Sequence, residues 1–502
     1  MENDFSKTRH TIVLSDLHLT EAEAGSDRHP HWKAYKRAEH FVDGDFAQLL
    51  ERLHAQLPQE TIELVLNGDV FDFDSVLARP EDGAGFSVGW VERLRGLNSE
   101  EQKSLFKLGR ILHEHAVFVE ALHTFVTRGH RVVFVIGNHD VELHWPSVHE
   151  ALVAAVTGGD AALRARVRIA DWFYVSNHDT LIEHGHQHDE YCLVLDPMNP
   201  FVDGEKTPAR VRLPFGNLAE RYMINGMGLF NPHVDKSFIK PNLLEYVRFF
   251  VRDVIAIQPL LVWTWFWGAC VTLLHATWEG ALPARPIEIS TLKEKAQAIA
   301  AKSNVAPAEV WAMRELRARP AVQTPWRVAQ ELWLDRVLVF LFAAIFCALS
   351  FAVARQLAAV SVGWLGFPAL VAAPLVVAYL RRVRSQVTEA AARGRDVAAS
   401  AARLLGVRRV IHGHTHDELH TWVKGVEYLN TGTWSPAFHD LACTQRYGAM
   451  CFAWVRPANG GEERAGSLFV FENGTWSERP APLHDSHPVA RPWRPELLPA
   501  QS

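Results

Sequence analysis

Three stretches of this chain carry no Lys, Arg, Asp or Glu: residues 257–275, 337–354 and 357–380, of 19, 18 and 24 residues. A helix rises about 1.5 Å per residue, so a run of about 20 apolar residues matches the roughly 30 Å hydrocarbon layer of a bilayer. Only Arg355 and Gln356 separate the second run from the third, and together they read as a helical hairpin. The first run is less uniform, with Gln258 and Pro259 near its start and Trp263, Trp265 and Trp267 clustered as interfacial aromatics are. A helical membrane-associated insertion over 241–385 is therefore expected. It divides a first part, 1–240, from a second, 386–480, and a tail over 481–502, rich in Pro, Arg and His, shows no periodicity and is expected to be poorly ordered.

Outside the insertion the pattern is that of a layered α/β domain. The runs 11–16 (TIVLSD), 61–69 (TIELVLNGD) and 131–140 (RVVFVIGNHD) each read as a buried strand that breaks into a polar loop. Helical spacing of Leu, Val and Phe fills 45–57 and 101–129 between them. Runs 166–177 and 179–190 follow, and strands resume after the insertion with RRVI, VEYLNTG, GAMCFAWV and SLFVFEN. In such alternating folds the functional groups gather on loops after strand C-termini.

Those loops are rich in metal donors. They hold Asp16 and His18, Asp69 and Asp72, Asn138, His139 and Asp140, His184 and His186, and His414 and His416. Carboxylate, imidazole and amide oxygen together suit Mn, Fe, Zn or Co better than Ca. The donors are too many for one ion, and two divalent ions sharing Asp69 would use them all. In an extended segment alternate side chains point the same way, so DxH and HxH are expected to aim both outer residues at one cluster. Gly185 and Gly413 would let the backbone approach the ions.

The ordered set DLH, GDVFD, GNHD, HGH and GHTH, followed by YLNTGTW, resembles the calcineurin-like metallophosphoesterase superfamily over roughly 10–235 and 385–475. The details look most like its bacterial UDP-2,3-diacylglucosamine diphosphatase branch, although that branch commonly has Arg at the place of His139 and Asp at the place of His186. The resemblance implies a β-sandwich flanked by helices and two metals, with Mn favoured. Asp16, His18 and His416 would bind the first; Asn138, His184 and His414 the second; Asp69 would bridge them. His139 would stand beside the scissile phosphate as a catalytic group, with Asp140 orienting it. His186 and His188 are candidate substrate contacts, and Asp72 reads as a turn former or a support behind the ligands.

Charge and cysteines narrow the setting. A formal charge of -6 with 22% charged residues gives no field for a dedicated nucleic-acid binder, and five scattered cysteines fit a reducing compartment. No apolar run of signal-peptide length opens the chain. His184 and His414 must meet at one metal, so the segment between them crosses a bilayer an even number of times. Nine Lys and Arg residues between 276 and 336, and RRVR at 381–384, favour the cytoplasmic side. The expectation is a phosphoesterase on the cytoplasmic face of the bacterial inner membrane, acting on a lipid-linked or membrane-located phosphate ester or pyrophosphate. The alternatives are an anchored phosphatase of soluble nucleotides and a non-catalytic membrane scaffold.

Overall fold

A computed structural model of the chain describes residues 4–26, 30–81, 85–204, 207–228, 258–282, 284–358, 360–382, 387–458 and 463–480, with positions 28, 231, 251 and 461. The tail 481–502 and His29 lie outside the described residues. Fourteen strands run in the order β1 (His10–Leu14), β2 (Ile62–Asn67), β3 (Arg131–Val135), β4 (Val167–Ala170), β5 (Phe173–Ser176), β6 (Thr180–Glu183), β7 (Phe201–Gly204), β8 (Thr207–Val211), β9 (Arg409–His412), β10 (Glu418–Val423), β11 (Val426–Thr431), β12 (Cys451–Pro457), β13 (Arg464–Glu472) and β14 (Thr475–Glu478). A seven-stranded sheet has the order β14-β13-β12-β1-β2-β3-β4, and a five-stranded sheet the order β10-β11-β9-β6-β5. Strands β1 to β4 are parallel neighbours, while β12 joins β1 antiparallel.

The period-2 alternation of the first strands decides the layers. Ile12, Leu14, Leu64, Leu66, Val132 and Phe134 enter one apolar cluster with the helices Asp43–Gln56, Glu101–Glu114, Ala116–Thr127 and Pro146–Thr157. Val13, Val65 and Val133 enter another, shared with Tyr174, Ile182, Ile411 and Leu429 of the smaller sheet. The two sheets therefore face each other. The outer face of the smaller sheet, with Phe173, Leu181 and Val410, is covered by Ile289–Ser303, Pro307–Glu315 and Val387–Leu405. The result is helix, sheet, sheet, helix, and each fully buried aliphatic or Phe side chain contributes roughly 1.5–3 kcal/mol.

Two sequence expectations are corrected. The run 166–177 is not one strand: it divides at Asp171 and Trp172 into β4 and β5, which belong to opposite sheets. The absence of Gly and Pro from the run hides that crossover, which Asp171 alone marks. The helical run 101–129 breaks at His115, whose Nδ1 lies 2.8 Å from Asp43 Oδ1 and whose Nε2 lies 2.8 Å from the Thr20 carbonyl.

Much of the described chain between β8 and β9 packs on these layers. Lys302 pairs with Asp171 at 2.9 Å and Arg314 with Asp196 at 2.8 Å, so these basic residues are engaged by the domain itself. Helix Leu261–Ala281 buries Gly268, Ala269, Thr272 and Ala276 and exposes Trp263, Trp267 and Trp278. Gly268 fits because a Cβ there would stand only 3.0 Å from Met223 Cα.

Among the described residues two helices are long and apolar enough to cross a membrane, Leu334–Leu357 and Val362–Arg382. Their apolar windows are 0% and 6% buried, which separates them from the core helices of a water-soluble fold. The Tyr379 hydroxyl donates to Asp335 Oδ2 at 2.8 Å, so the hairpin leaves and rejoins the domain at one place.

Candidate metal centre

Every donor expected from the strand-end motifs comes to one end of the facing sheets. Asp16 and His18 follow β1, Asp69 follows β2, Asn138 to Asp140 follow β3, His184 follows β6, and His414 and His416 follow β9. His18 Nε2, His416 Nε2 and Asp16 Oδ1 close on one another, with separations of 3.2, 3.3 and 3.9 Å. Metal bonds of about 2.0–2.2 Å place neighbouring ligand atoms about 3.0–3.5 Å apart, so this triad has nearly the size of a coordination sphere. A second group forms from Asp69, His184 and His414. Asp69 Oδ2 lies 3.0 Å from His184 Nε2 and 4.0 Å from His18 Nε2, which puts one carboxylate between the two groups.

The backbone holds these residues in an unusual way. Asp16, His18, Asp69, His414 and His416 all have positive φ, between 48° and 69°. This corrects the expectation that extended alternation aims DxH and HxH. The outer residues of the DLH and HTH triplets are left-handed, a conformation that costs about 1–3 kcal/mol per residue and persists only where the surroundings enforce it. The enforcement is visible. The Asp16 and His18 amides donate to the carbonyls of Gly68 and Asp69 at 3.1 and 2.9 Å, and the Trp434 and Ser435 amides donate to the Asp16 carbonyl at 3.0 and 2.9 Å. Asn430 Nδ2 donates to the Gly413 carbonyl at 2.7 Å and fixes the GHTH loop. At Gly413 a Cβ would collide with Ser15 Oγ and Asp16 Oδ2, so only glycine lets the two loops close.

Hydrogen bonds select the ring nitrogens. His184 Nδ1 donates to the Asn67 carbonyl at 2.9 Å, leaving Nε2 as the ligand atom. His414 Nε2 lies 3.0 Å from Asp189 Oδ2, leaving Nδ1. Asn138 Nδ2 faces Asn217 Oδ1 at 3.5 Å, while the buried Asn138 Oδ1 has no hydrogen-bond partner and is the atom an ion would take. Asp16, Asp69 and His184 are 0, 1 and 0% exposed. Burial alone would raise the Asp69 carboxyl, but His184, then His139 and His18, hold it well below the usual carboxylate range. Burial likewise opposes charge on His184, and Asp69 and then Asp16 outweigh it, raising that imidazole to about 9. Two buried carboxylates thus create a field that demands cations, and the donor set fits two divalent ions.

The residues around this centre fall differently from expectation. His139 donates its backbone N–H to Asp69 Oδ1 at 2.8 Å, and its ring Nδ1 lies 3.4 Å from Glu220 Oε2 and 3.5 Å from Asp72 Oδ1. Asp140 does not orient that ring. Its two oxygens accept the amides of Val70 and Gly137 at 2.9 and 2.5 Å, tying the loop after β3 to the loop after β2. Burial, and then Asp69, push Asp140 up to about 7. Asp72 accepts the Ser75 amide at 3.1 Å, the turn expected of it, and also faces His139. His186 is buried with Nε2 3.0 Å from Gln187 Nε2, and His188 turns onto Glu183 rather than outward.

Glu220 and Asn217, on helix Phe215–Tyr222, had no sequence signal beyond an amphipathic pattern. Asn217 Nδ2 donates to the Asn138 carbonyl and to Asp74 Oδ2, both at 2.8 Å. Burial, and then Asp72, raise Glu220 to about 8, while the neighbouring His139 opposes that rise. Burial opposes the His139 imidazolium, but Asp69, then Glu220 and Asp72, raise its pKa well above the usual imidazole value.

Facing sheets with donor-bearing strand ends define a candidate metal-binding domain. Residues 9–210 match the family model of the calcineurin-like phosphoesterases. That span contains Asp16, His18, Asp69, Asn138 and His184, whereas His414 and His416 lie beyond it and join the centre through β9. No curated protein matches the chain.

Proposed function

We propose that this chain is a membrane-associated, two-metal hydrolase of a phosphate ester or pyrophosphate bond whose substrate is lipid-linked or lies at the membrane, as in the UDP-2,3-diacylglucosamine diphosphatases. The observation that carries the reading is the pair of donor groups joined through Asp69, with His139 beside them. Two divalent ions, with Mn favoured, would supply a hydroxide nucleophile and neutralise charge at phosphorus. The remaining work belongs to side chains. His139 presents Nδ1 to Asp72 and Glu220, which favour a proton there and keep the ring turned, while the opposite nitrogen serves the leaving oxygen. Asp140 and Asn217 hold the loop that carries Asn138 and His139.

The lipid part of the reading rests on position. Helix Phe215–Tyr222, which carries Glu220, packs on helix Leu261–Ala281, whose outer face exposes Trp263 and Trp267. An amphiphile held in a leaflet against those tryptophans would reach the centre without leaving the membrane. A substrate panel of UDP-linked diacyl sugars, phospholipids and nucleotides, assayed in detergent with Mn, tests this. Preferred turnover of the acylated pyrophosphate is expected. Preference for soluble nucleotides would reduce the hairpin to an anchor, and no turnover with any metal would favour a scaffold.

Orientation supplies a separate prediction. We place the catalytic layers on the cytoplasmic face of a bacterial inner membrane, because the basic segment 285–336 and both ends of the hairpin adjoin them. In a cysteine-free background, Arg355→Cys is expected to react with an impermeant thiol reagent added to intact cells, and the exposed Gln297→Cys is not. Labelling at 297 alone would invert the topology.

A further inference from the structure

A second donor cluster lies behind the first. Glu183 ends β6 and His412 ends the adjacent β9, while His188 sits in the single turn His186–His188. All three are enclosed, at 0, 3 and 4% exposed. Glu183 Oε2 is 3.1 Å from His188 Nε2 and 3.8 Å from His412 Nε2, and one donor atom from each residue lies within 4.8 Å of the others. These separations match the 3.2–3.9 Å of the Asp16, His18 and His416 triad.

Partners behind Glu183 and His412 fix their direction. Trp172 Nε1 donates to Glu183 Oε1 at 3.1 Å, which turns Oε2 toward the histidines. The Tyr428 hydroxyl lies 3.4 Å from His412 Nδ1, which leaves Nε2 to face Glu183. A buried Glu–His pair would account for His188 alone. It leaves His412 Nε2 without a hydrogen-bond partner in the interior, where an unmade bond is costly. One cation bound by all three residues resolves this.

We propose that Glu183, His188 and His412 bind a further divalent ion of the zinc class, in an enclosed three-ligand site separate from the two-metal centre. Two imidazoles and a carboxylate, with Glu183 and His412 each oriented by an outer partner, form a donor set suited to Zn(II). Glu183 directly precedes His184, and His412 stands two residues before His414. An ion here would clamp β6 to β9 at the point from which both strands deliver ligands to the catalytic centre.

The test counts ions in full-length protein purified in detergent, stripped with chelator and equilibrated with Zn(II). Asp69→Asn/His416→Ala disables the two-metal centre, and one ion per chain is expected to remain. Adding His412→Gln is expected to remove that ion, and Glu183→Gln, which keeps the acceptor for Trp172, should do the same. Co(II) at the remaining site should give the visible absorption of a nitrogen-and-oxygen tetrahedral complex, a readout available without the third substitution. No ion in the double variant, or an unchanged count on adding His412→Gln, overturns the proposal. If the wild-type chain and the double variant bind equally, the two-metal reading fails instead, and the loss caused by His412→Gln still decides this one.

Discussion

Asp69→Asn is expected to lower kcat/KM by at least about a thousandfold, which corresponds to about 4 kcal/mol of transition-state stabilisation. The substitution is nearly isosteric. Asparagine keeps an oxygen to accept the His139 amide, now at 2.8 Å from Oδ1, so the loop after β3 should hold its place. What changes is Oδ2, the atom between His184 Nε2 at 3.0 Å and His18 Nε2 at 4.0 Å. An amide nitrogen there cannot donate a lone pair, and it removes the charge that makes burial of the surrounding imidazoles tolerable as a cation site. Metal analysis should show loss at this centre while circular dichroism stays that of the wild type. Full activity with normal metal content would refute the bridging role.

His139→Ala should act on the chemical step, lowering kcat by about a hundredfold, the lower end of what one general acid or base contributes. Its metal content should remain intact, because the imidazole touches Asp72 and Glu220 and none of the expected ligand atoms within hydrogen-bonding distance. The diagnostic is the leaving group. An ester of p-nitrophenol, which departs without needing a proton, should lose less on this substitution than an alkyl ester. An equal loss for both would assign His139 to electrostatic support of the phosphoryl group. A rise in KM with unchanged kcat would make it a binding residue only.

The strands and their order were legible because each is a short apolar run ending in a polar burst, and the donors were legible because they sit at those ends. Four things were not. The left-handed backbone of Asp16, His18, Asp69, His414 and His416 is imposed by hydrogen bonds from loops distant in sequence, so spacing suggested extended segments instead. The crossover at Asp171 and Trp172 carries no Gly or Pro and only a single Asp as a turn signal, and tertiary packing sends β4 and β5 to different sheets. Glu220 and Asn217 belong to a short helix whose polar side looks solvated in sequence, yet both are buried against the centre. Asp140 misled for a related reason: adjacency to His139 suggested contact, while its side chain reaches back to the amides of Val70 and Gly137.

The position of β9 has a consequence for the order of events during synthesis. It is the middle strand of the smaller sheet, pairing in parallel with both β6 and β11, yet the whole apolar hairpin precedes it in the chain. While a ribosome is still translating the hairpin, β6 has no parallel neighbour and His184 has neither His414 nor His416 beside it. Pairing across so long a separation is slow and follows local structure. The candidate metal centre is therefore completed last, after the apolar helices have been synthesised. A chain that ends within the hairpin carries Asp16, His18, Asp69 and His184 but lacks His414 and His416, so the order of synthesis makes these two the last donors to reach the centre.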